Sequence, residues 1–267
     1  MTPELSVIIP ARDAQATLER ALRSVLESDL AAVEIVVGVD DGADYAAALS
    51  LCEADRARIR WLTTSTPGSG PSAARNIAMR EAQAPLLAFL DADDFYAPDR
   101  LSRLVPLARE QGAATGPCVP LSPPLAPGAG APPGEPGAPT ALTLERIVTS
   151  RDSFSPVLKR ELAPAWRPIR FAEDMIFNAE LKGRAPGYAY DPGAVYAYVQ
   201  TPRSGSRGAG SLERALGGYG DILRHLFSFD LDPAARELVF RQMLADLTDF
   251  GEAYFASGGA AGWGESR

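Results

Sequence analysis

Histidine and lysine are nearly absent from this chain: His225 is the single histidine, and Lys159 and Lys182 are the only lysines among 26 basic residues, so 24 are Arg. One histidine excludes an HExxH zinc site and makes a Ser/His/Asp triad a poor reading. Cys52 and Cys118 lie far apart with no CxxC spacing, which excludes a zinc ribbon and a redox pair; free thiols in a reducing compartment are expected. Basic charge is also short, with 26 Lys and Arg against 34 Asp and Glu for a net charge of −8. That deficit argues against nucleic acid and against a polybasic membrane anchor, and leaves membrane contact at most peripheral. It does not oppose a phosphorylated substrate, which needs only one or two local cations. The uncharged stretch from Gln111 to Gly134 matches a bilayer in length, but its seven prolines forbid a membrane helix. The opening Thr2-Pro3-Glu4 and an apolar run stopping at Pro10 and Arg12 lack the cationic flank and long apolar core of a signal peptide, so a cytoplasmic location is expected. Carboxylates, Arg and backbone are the groups left to carry chemistry.

What is present is ordinary globular material: 267 residues, 46% hydrophobic and 22% charged. A chain of this length buries roughly three quarters of the surface it exposes when unfolded, so one substantial core is within reach. Short apolar runs rich in β-branched residues, at Leu5–Pro10, Val33–Val39, Ile59–Leu62 and Leu86–Leu90, read as buried strands. Between and after them, 18–26, 45–54, 71–83 and 98–111 carry helical periodicity. Such alternation predicts a mostly parallel α/β sheet with helices on both faces, and ligands in such sheets sit outside the carboxyl ends of the strands.

Residues 116–139 hold nine prolines and five glycines in 24 positions and are expected to form a loop without regular structure. Helices are expected over 142–149 and 171–181, two short strands around an Asp-Pro-Gly turn over 188–198, and two amphipathic helices over 212–227 and 233–255, before a glycine-rich tail. The chain then divides into 1–115, the loop 116–140, a second half of the same domain at 141–210, and C-terminal helices with a tail at 211–267.

Two acidic constellations stand at predicted strand ends: Asp40-Asp41-Gly42, and Asp91-Ala92-Asp93-Asp94. Several carboxylates at one sheet edge repel unless cations or donors relieve them. Mg²⁺ or Mn²⁺ takes oxygen ligands, often one or two carboxylates, and leaves positions for substrate phosphates. The plain alternative is that acids in turns cap the next helix, which suits an isolated Asp-Asp better than Asp-x-Asp-Asp. Gly68-Ser69-Gly70-Pro71-Ser72-Ala73 formally matches a dinucleotide fingerprint, but it follows the third strand and not the first, with residues intervening. Arg75, beyond it, either points at a nucleotide or is a helix-surface cation. Glu173-Asp174 opens a helical segment, where it either serves the helix dipole or supplies a general base. Arg203 and Arg207 flank a Ser-Gly-Ser loop that is either a solvated turn or a clamp on a leaving diphosphate. Tyr188, Tyr190, Tyr196 and Tyr198 alternate as on a strand, which suits packing first and carbohydrate stacking second.

The order LSVIIPARDAQATLERALRSVL, VEIVVGVDDGAD, GPSAARNIAM, LLAFLDADDFYAPDRL and FAEDMIFNAEL resembles the family 2 glycosyltransferases of the GT-A fold over residues 5–207. Its later part looks like bacterial exopolysaccharide enzymes of the succinoglycan type. The resemblance implies an inverting, metal-dependent transfer of a sugar from a nucleotide-sugar, usually UDP-linked, to a saccharide or lipid-linked saccharide acceptor. It implies that residues 1–115 bind the nucleotide-sugar and 141–210 supply the acceptor side and the base. Pro10, Ala11 and Asp13 would line the nucleotide base, Asp41 would contact base or ribose, and Arg75 would join them. Asp91, Ala92 and Asp93 would form the DxD element, with Asp93 on Mn²⁺ or Mg²⁺. Asp174, beside Glu173, would deprotonate the acceptor. This chain departs from the family at Arg12-Asp13, where an aromatic and Asn are usual, and at Ala43, where Ser is usual. Two other readings compete: a noncatalytic scaffold on the same fold, and a haloacid-dehalogenase-type phosphatase. The latter needs a Lys before its later acidic pair, whereas Glu173-Asp174 precedes Lys182.

Overall fold

The computed structural model describes residues 2–125, 130–150, 152–169, 171–200 and 211–256. Strand β1 (Leu5–Ala11) is buried on both faces, with Leu5, Val7 and Ile9 in one apolar layer and Ile8 in the other. That burial is expected of a strand inside a parallel sheet sandwiched by helices. Helix α1 (Leu18–Leu26) packs Leu18, Ala21, Leu22 and Val25 into the first layer. Strands β2 (Val33–Val39), β3 (Ile59–Thr63) and β4 (Leu86–Phe89) join β1 in the parallel order β3-β2-β1-β4. Helix α4 (Pro71–Glu81) begins with Pro71 in its first turn and buries Ala78 in the second layer.

One expected helix is broken. Residues 45–54 form two single-turn helices, α2 (Tyr45–Ala48) and α3 (Glu53–Arg56), because Leu49 turns extended and packs with Leu51 into the first layer. The break frees carbonyls, and the Arg56 guanidinium takes up those of Ala46, Leu49 and Leu51.

Beyond β4 lie β5 (Phe95–Tyr96), α5 (Arg100–Gln111), β6 (Gly112–Thr115), β7 (Cys118–Leu121), β8 (Thr140–Ala141), α6 (Leu144–Thr149), β9 (Val157–Lys159), α7 (Glu173–Arg184), β10 (Gly187–Tyr190) and β11 (Tyr196–Val199). They complete an eight-stranded sheet in the order β3-β2-β1-β4-β9-β6-β10-β8 and a three-stranded sheet in the order β5-β11-β7. In the large sheet β9 runs antiparallel to β4 and β6, and β8 antiparallel to β10, so the expected mostly parallel sheet carries two reversed strands. The structureless loop expected over 116–140 is corrected here. Its start forms β7, which pairs parallel to β11 across nearly eighty residues, with Pro120 tolerated because β7 is an edge strand. Farther on, Gly134 lies against the backbone of Gly193, and the Glu135 amide donates to the Pro192 carbonyl. The two strands expected over 188–198 are present but do not pair: β10 enters the large sheet and β11 the small one. Helices α8 (Ser211–His225) and α9 (Pro233–Ala256) close the second layer with Tyr219, Ile222, Val239 and Met243.

Gly38 decides how closely α4 approaches the sheet, since a Cβ there would stand 2.4 Å from the Ala74 carbonyl oxygen. Gly38→Ala is expected to lower unfolding free energy by about 1–3 kcal/mol in urea denaturation, the cost of forcing backbone apart. A variant as stable as the parent would show that α4 can recede freely.

Candidate functional site

The carboxyl end of β4 runs into Asp91-Ala92-Asp93-Asp94, a turn closed by the Asp94 amide on the Asp91 carbonyl. Asp94 is buried; it accepts from the Tyr196 hydroxyl at 2.7 Å and the Val199 amide at 2.8 Å, both on β11. The same Tyr196 hydroxyl accepts the Asp91 amide at 3.1 Å, so one side chain fixes both ends of the acidic turn. Burial, then the charges of Asp91 and Asp93, push the Asp94 carboxyl up to about 8. Burial and then Asp91 push Asp93 up to about 6. Arg20 of α1 holds the turn from outside by donating to the Asp93 carbonyl.

Helix α4 reaches this turn through Arg75. The guanidinium is buried, 2.6 Å from an Asp91 carboxylate oxygen and 3.6 Å from Glu173. Burial alone would lower its pKa, but the charges of Asp91 and Glu173 outweigh burial and raise it. Arg75 is therefore no helix-surface cation. Ser72, Arg75 and Asn76 share one helix face through their i, i+3 and i+4 spacing. Ser72 donates to the Arg167 carbonyl at 2.7 Å, and the Asn76 amide both donates to and accepts from the Trp166 backbone, at 2.8 and 2.9 Å. Trp166 is thereby held with the Arg75 guanidinium 4.3 Å from its ring centre and with Phe177 stacked at 4.2 Å.

Helix α7 supplies Glu173 and Asp174 from its first turn, behind Ala172 at φ +59°. A left-handed alanine costs roughly 1–2 kcal/mol, and such strain tends to persist where a site requires it. Asp174 accepts from Ser153 Oγ at 2.8 Å and from the Met175 amide at 2.9 Å. Burial raises its pKa against those two bonds, and burial likewise raises Glu173 against the pull of Arg75. An open cleft runs between these elements, with Arg75, Asp91, Asp94, Trp166, Asp174 and Tyr196 in its wall.

Asp91, Arg75, Glu173 and Asp174 thus come together from three elements. Pro10, Ala11, Asp13 and Asp41 lie farther along the same sheet edge, at the ends of β1 and β2, outside the cleft lining. Asp13 sits at φ +50° and donates its amide to Asp41 at 2.8 Å. Asp and Asn tolerate this conformation far better than most residues, so Asp13 holds it at little cost. Asp41 also accepts from the Ala43 amide at 3.0 Å and the Tyr45 hydroxyl at 2.7 Å. Burial acts to raise its pKa, but these three bonds outweigh burial and lower it. Asp40 plays a structural part, since it is fully enclosed and accepts from Thr64 Oγ1 and from the amides of Ser69 and Gly70. Those amides, which a phosphate cradle would present, are therefore taken by a carboxylate. Ala92 is buried beneath the acidic turn. Arg203 and Arg207 lie outside the described residues. Sequence reasoning passed over Ser153 and Trp166 and assigned Tyr196 to packing; the alternating tyrosines were the one available signal.

Among the described residues no three His, Cys, Asp or Glu side chains gather as a ready-made metal cage. The donor chemistry still suits a hard cation. Asp93 has no ion pair with another described residue, and its only hydrogen bond from one goes to its carbonyl, while Mg²⁺ or Mn²⁺ typically uses one or two carboxylates and completes its shell with phosphates and water.

Residues 6–122 match the family model Glycosyl transferase family 2. The succinoglycan biosynthesis protein ExoU of Rhizobium meliloti is 38% identical over 103 residues, 38% of this chain and 30% of that protein. The GalNAc(5)-diNAcBac-PP-undecaprenol beta-1,3-glucosyltransferase of Campylobacter jejuni is 31% identical over 109 residues, 40% of this chain and 35% of that protein. The matches thus span well under half the length of these relatives. The crystal structure of S. aureus TarS 1–349 in complex with UDP-GlcNAc superposes with a TM-score of 0.66 at 18% identity, covering 88% of this chain and 70% of that one. The mannosyltransferase PcManGT from Pyrobaculum calidifontis, in complex with GDP-Man and Mn²⁺, gives 0.64 at 17%, covering 98% and 76%. Strand order, acidic turn and family match together identify residues 6–122 of this chain as a glycosyl transferase family 2 domain, built on the GT-A fold.

Proposed function

We propose that this chain is an inverting glycosyltransferase that moves a sugar from a nucleotide-sugar, UDP-linked, to a hydroxyl of a saccharide or lipid-linked saccharide during polysaccharide or glycoconjugate synthesis. The observation that carries the reading is the convergence of Asp174 with the Arg75–Asp91–Glu173 ion cluster on one cleft at the carboxyl edge of the sheet. Asp174 takes the proton of the attacking hydroxyl. Burial raises its carboxyl above the ordinary Asp range and so makes it a stronger proton acceptor, which suits a general base. The acceptor oxygen bonds to the anomeric carbon as the bond from that carbon to phosphate breaks, and the electron pair leaves with the diphosphate. Glu173 anchors Arg75, which brings positive charge to the leaving side. Asp93, with Asp91 and Ala92 shaping its turn, would hold Mn²⁺ or Mg²⁺, which when bound neutralises the diphosphate. Pro10, Ala11, Asp13 and Asp41 would receive the nucleoside along the sheet edge, and Arg203 and Arg207 would add charge at the diphosphate. The relatives' names and the bound Mn²⁺ and GDP-Man of the mannosyltransferase support this reading. Among the described residues no helix is long and apolar enough to cross a membrane. We place the enzyme in the cytoplasm, at most peripheral to the membrane.

Thermal unfolding with UDP, GDP and other nucleoside diphosphates, each with Mn²⁺, Mg²⁺ or EDTA, tests the reading. Ligand at a hundred times its Kd adds about 2.7 kcal/mol, and each kcal/mol moves the midpoint by roughly 2–4 °C at this size. A metal-dependent shift with UDP is expected. A shift with GDP alone would reassign the donor base, and no shift with any pair would favour a noncatalytic scaffold.

A further inference from the structure

The cleft wall that carries Trp166 belongs to a segment, 163–169, with neither helix nor strand, so the burial of Trp166 and Ile169 and a few side-chain hydrogen bonds decide where it sits. Two ties run to α4 through Ser72 and Asn76, as described above. Two others run the opposite way, and one of them is the Arg184 guanidinium donating to the Ala163 carbonyl at 3.0 Å. In the other, Arg167 donates to Glu180 at 2.6 Å, and the same Glu180 oxygen accepts the amide of Asp230, in the connection between α8 and α9, at 2.8 Å. Arg167 also lies 5.8 Å from the ring centre of Phe229, which is buried with Leu231 in the second apolar layer. Glu180 is wholly enclosed, its other oxygen has no hydrogen-bond partner, and the chemistry proposed above does not use it. A buried ion pair seldom improves on apolar packing for stability, whereas it can fix one arrangement against others.

We propose that Arg167, gripped by Glu180, is a positioning residue through which the C-terminal helices set the Trp166–Arg75 wall and thereby the affinity for the nucleoside diphosphate. The proposal rests on the reading of Arg75 as part of the donor site. The arrangement ties the connection between α8 and α9 to the binding wall: without Arg167, Trp166 keeps its Asn76 bonds and its Phe177 stack but loses the tie from the far side, and its ring shifts against Arg75.

The test uses the full chain with Trp61→Phe and Trp263→Phe, leaving Trp166 as the only tryptophan. In this background Arg167→Met with Glu180→Met removes both charges at similar volume. The expected result is an unchanged far-UV spectrum and a cooperative transition, with acrylamide quenching of Trp166 increased several-fold. Affinity for UDP with Mn²⁺ should weaken roughly tenfold, equivalent to about 1.4 kcal/mol. Glu180→Gln alone, which keeps an oxygen for Arg167 and Asp230, should recover much of that affinity. Should the double variant not fold, Arg167→Lys keeps the charge but loses the planar fork, and gives the same two readouts. Trp166 as protected as in the parent, or nucleotide bound as tightly, overturns the proposal. A parent that binds no nucleotide refutes the donor-site reading instead, and quenching alone then decides whether Arg167 holds the wall.

Discussion

Arg75→Met is expected to lower the stability of the protein without added metal by about 3 kcal/mol at neutral pH, the lower end of what removing one partner of a buried ion pair costs. The lower end applies because Asp91 keeps 43% of its side chain open to water, whereas Glu173 keeps only 21%. The loss should depend on pH. Burial raises Glu173 while Arg75 holds it down, so without Arg75 the folded-state pKa climbs farther above the unfolded value. A group with a raised folded-state pKa is unfavourable once ionised. The deficit is therefore smallest below the ordinary carboxylate range, where the proton is bound in both states, and grows as pH rises through the folded pKa. Urea denaturation at acidic and at neutral pH checks this. An equal deficit at both would show that Arg75 matters through its packing on Trp166 and not through its charge.

Asp174→Asn is expected to reduce sugar transfer by about 10²–10⁴-fold, the range for loss of a general base, while nucleoside diphosphate binding stays intact. Asparagine can still accept from Ser153 or from the Met175 amide, so local structure should hold. The wild-type rate should rise with pH through an apparent pKa above the ordinary Asp range, because burial favours the protonated form. Initial rates across pH, together with nucleotide binding for both proteins, decide the matter. Full activity in the variant would move the base elsewhere, and loss of binding would make Asp174 part of the donor site.

Both predictions concern residues visible in the linear chain, and the reason is local. Strands β1, β2 and β4 are buried on both faces, so their apolar runs announce them without reference to a partner, and in parallel sheets the residues just past such strands face the ligand edge. Asp91, Asp93 and Asp41 could be picked out on that rule, and Glu173-Asp174 by its place at the start of an apolar helix. The same rule did not separate Asp40 from Asp41. Their different roles follow from Ser69 and Gly70, about thirty residues away, and from Asp13, equally remote on the other side.

Pattern and composition were thus sufficient for the alternating strand and helix order of the first hundred residues and the acidic strand ends. Each of those is a property of a short window of chain. The tertiary structure alone reversed β9 between two parallel strands and drew β7 out of a proline-rich stretch by pairing it with β11. It also buried Arg75 against Trp166 and turned Tyr196 from a packing residue into the brace of the acidic turn. These outcomes rest on partners roughly forty-five to a hundred residues apart, and the energy of such a contact exists only once the intervening chain has folded.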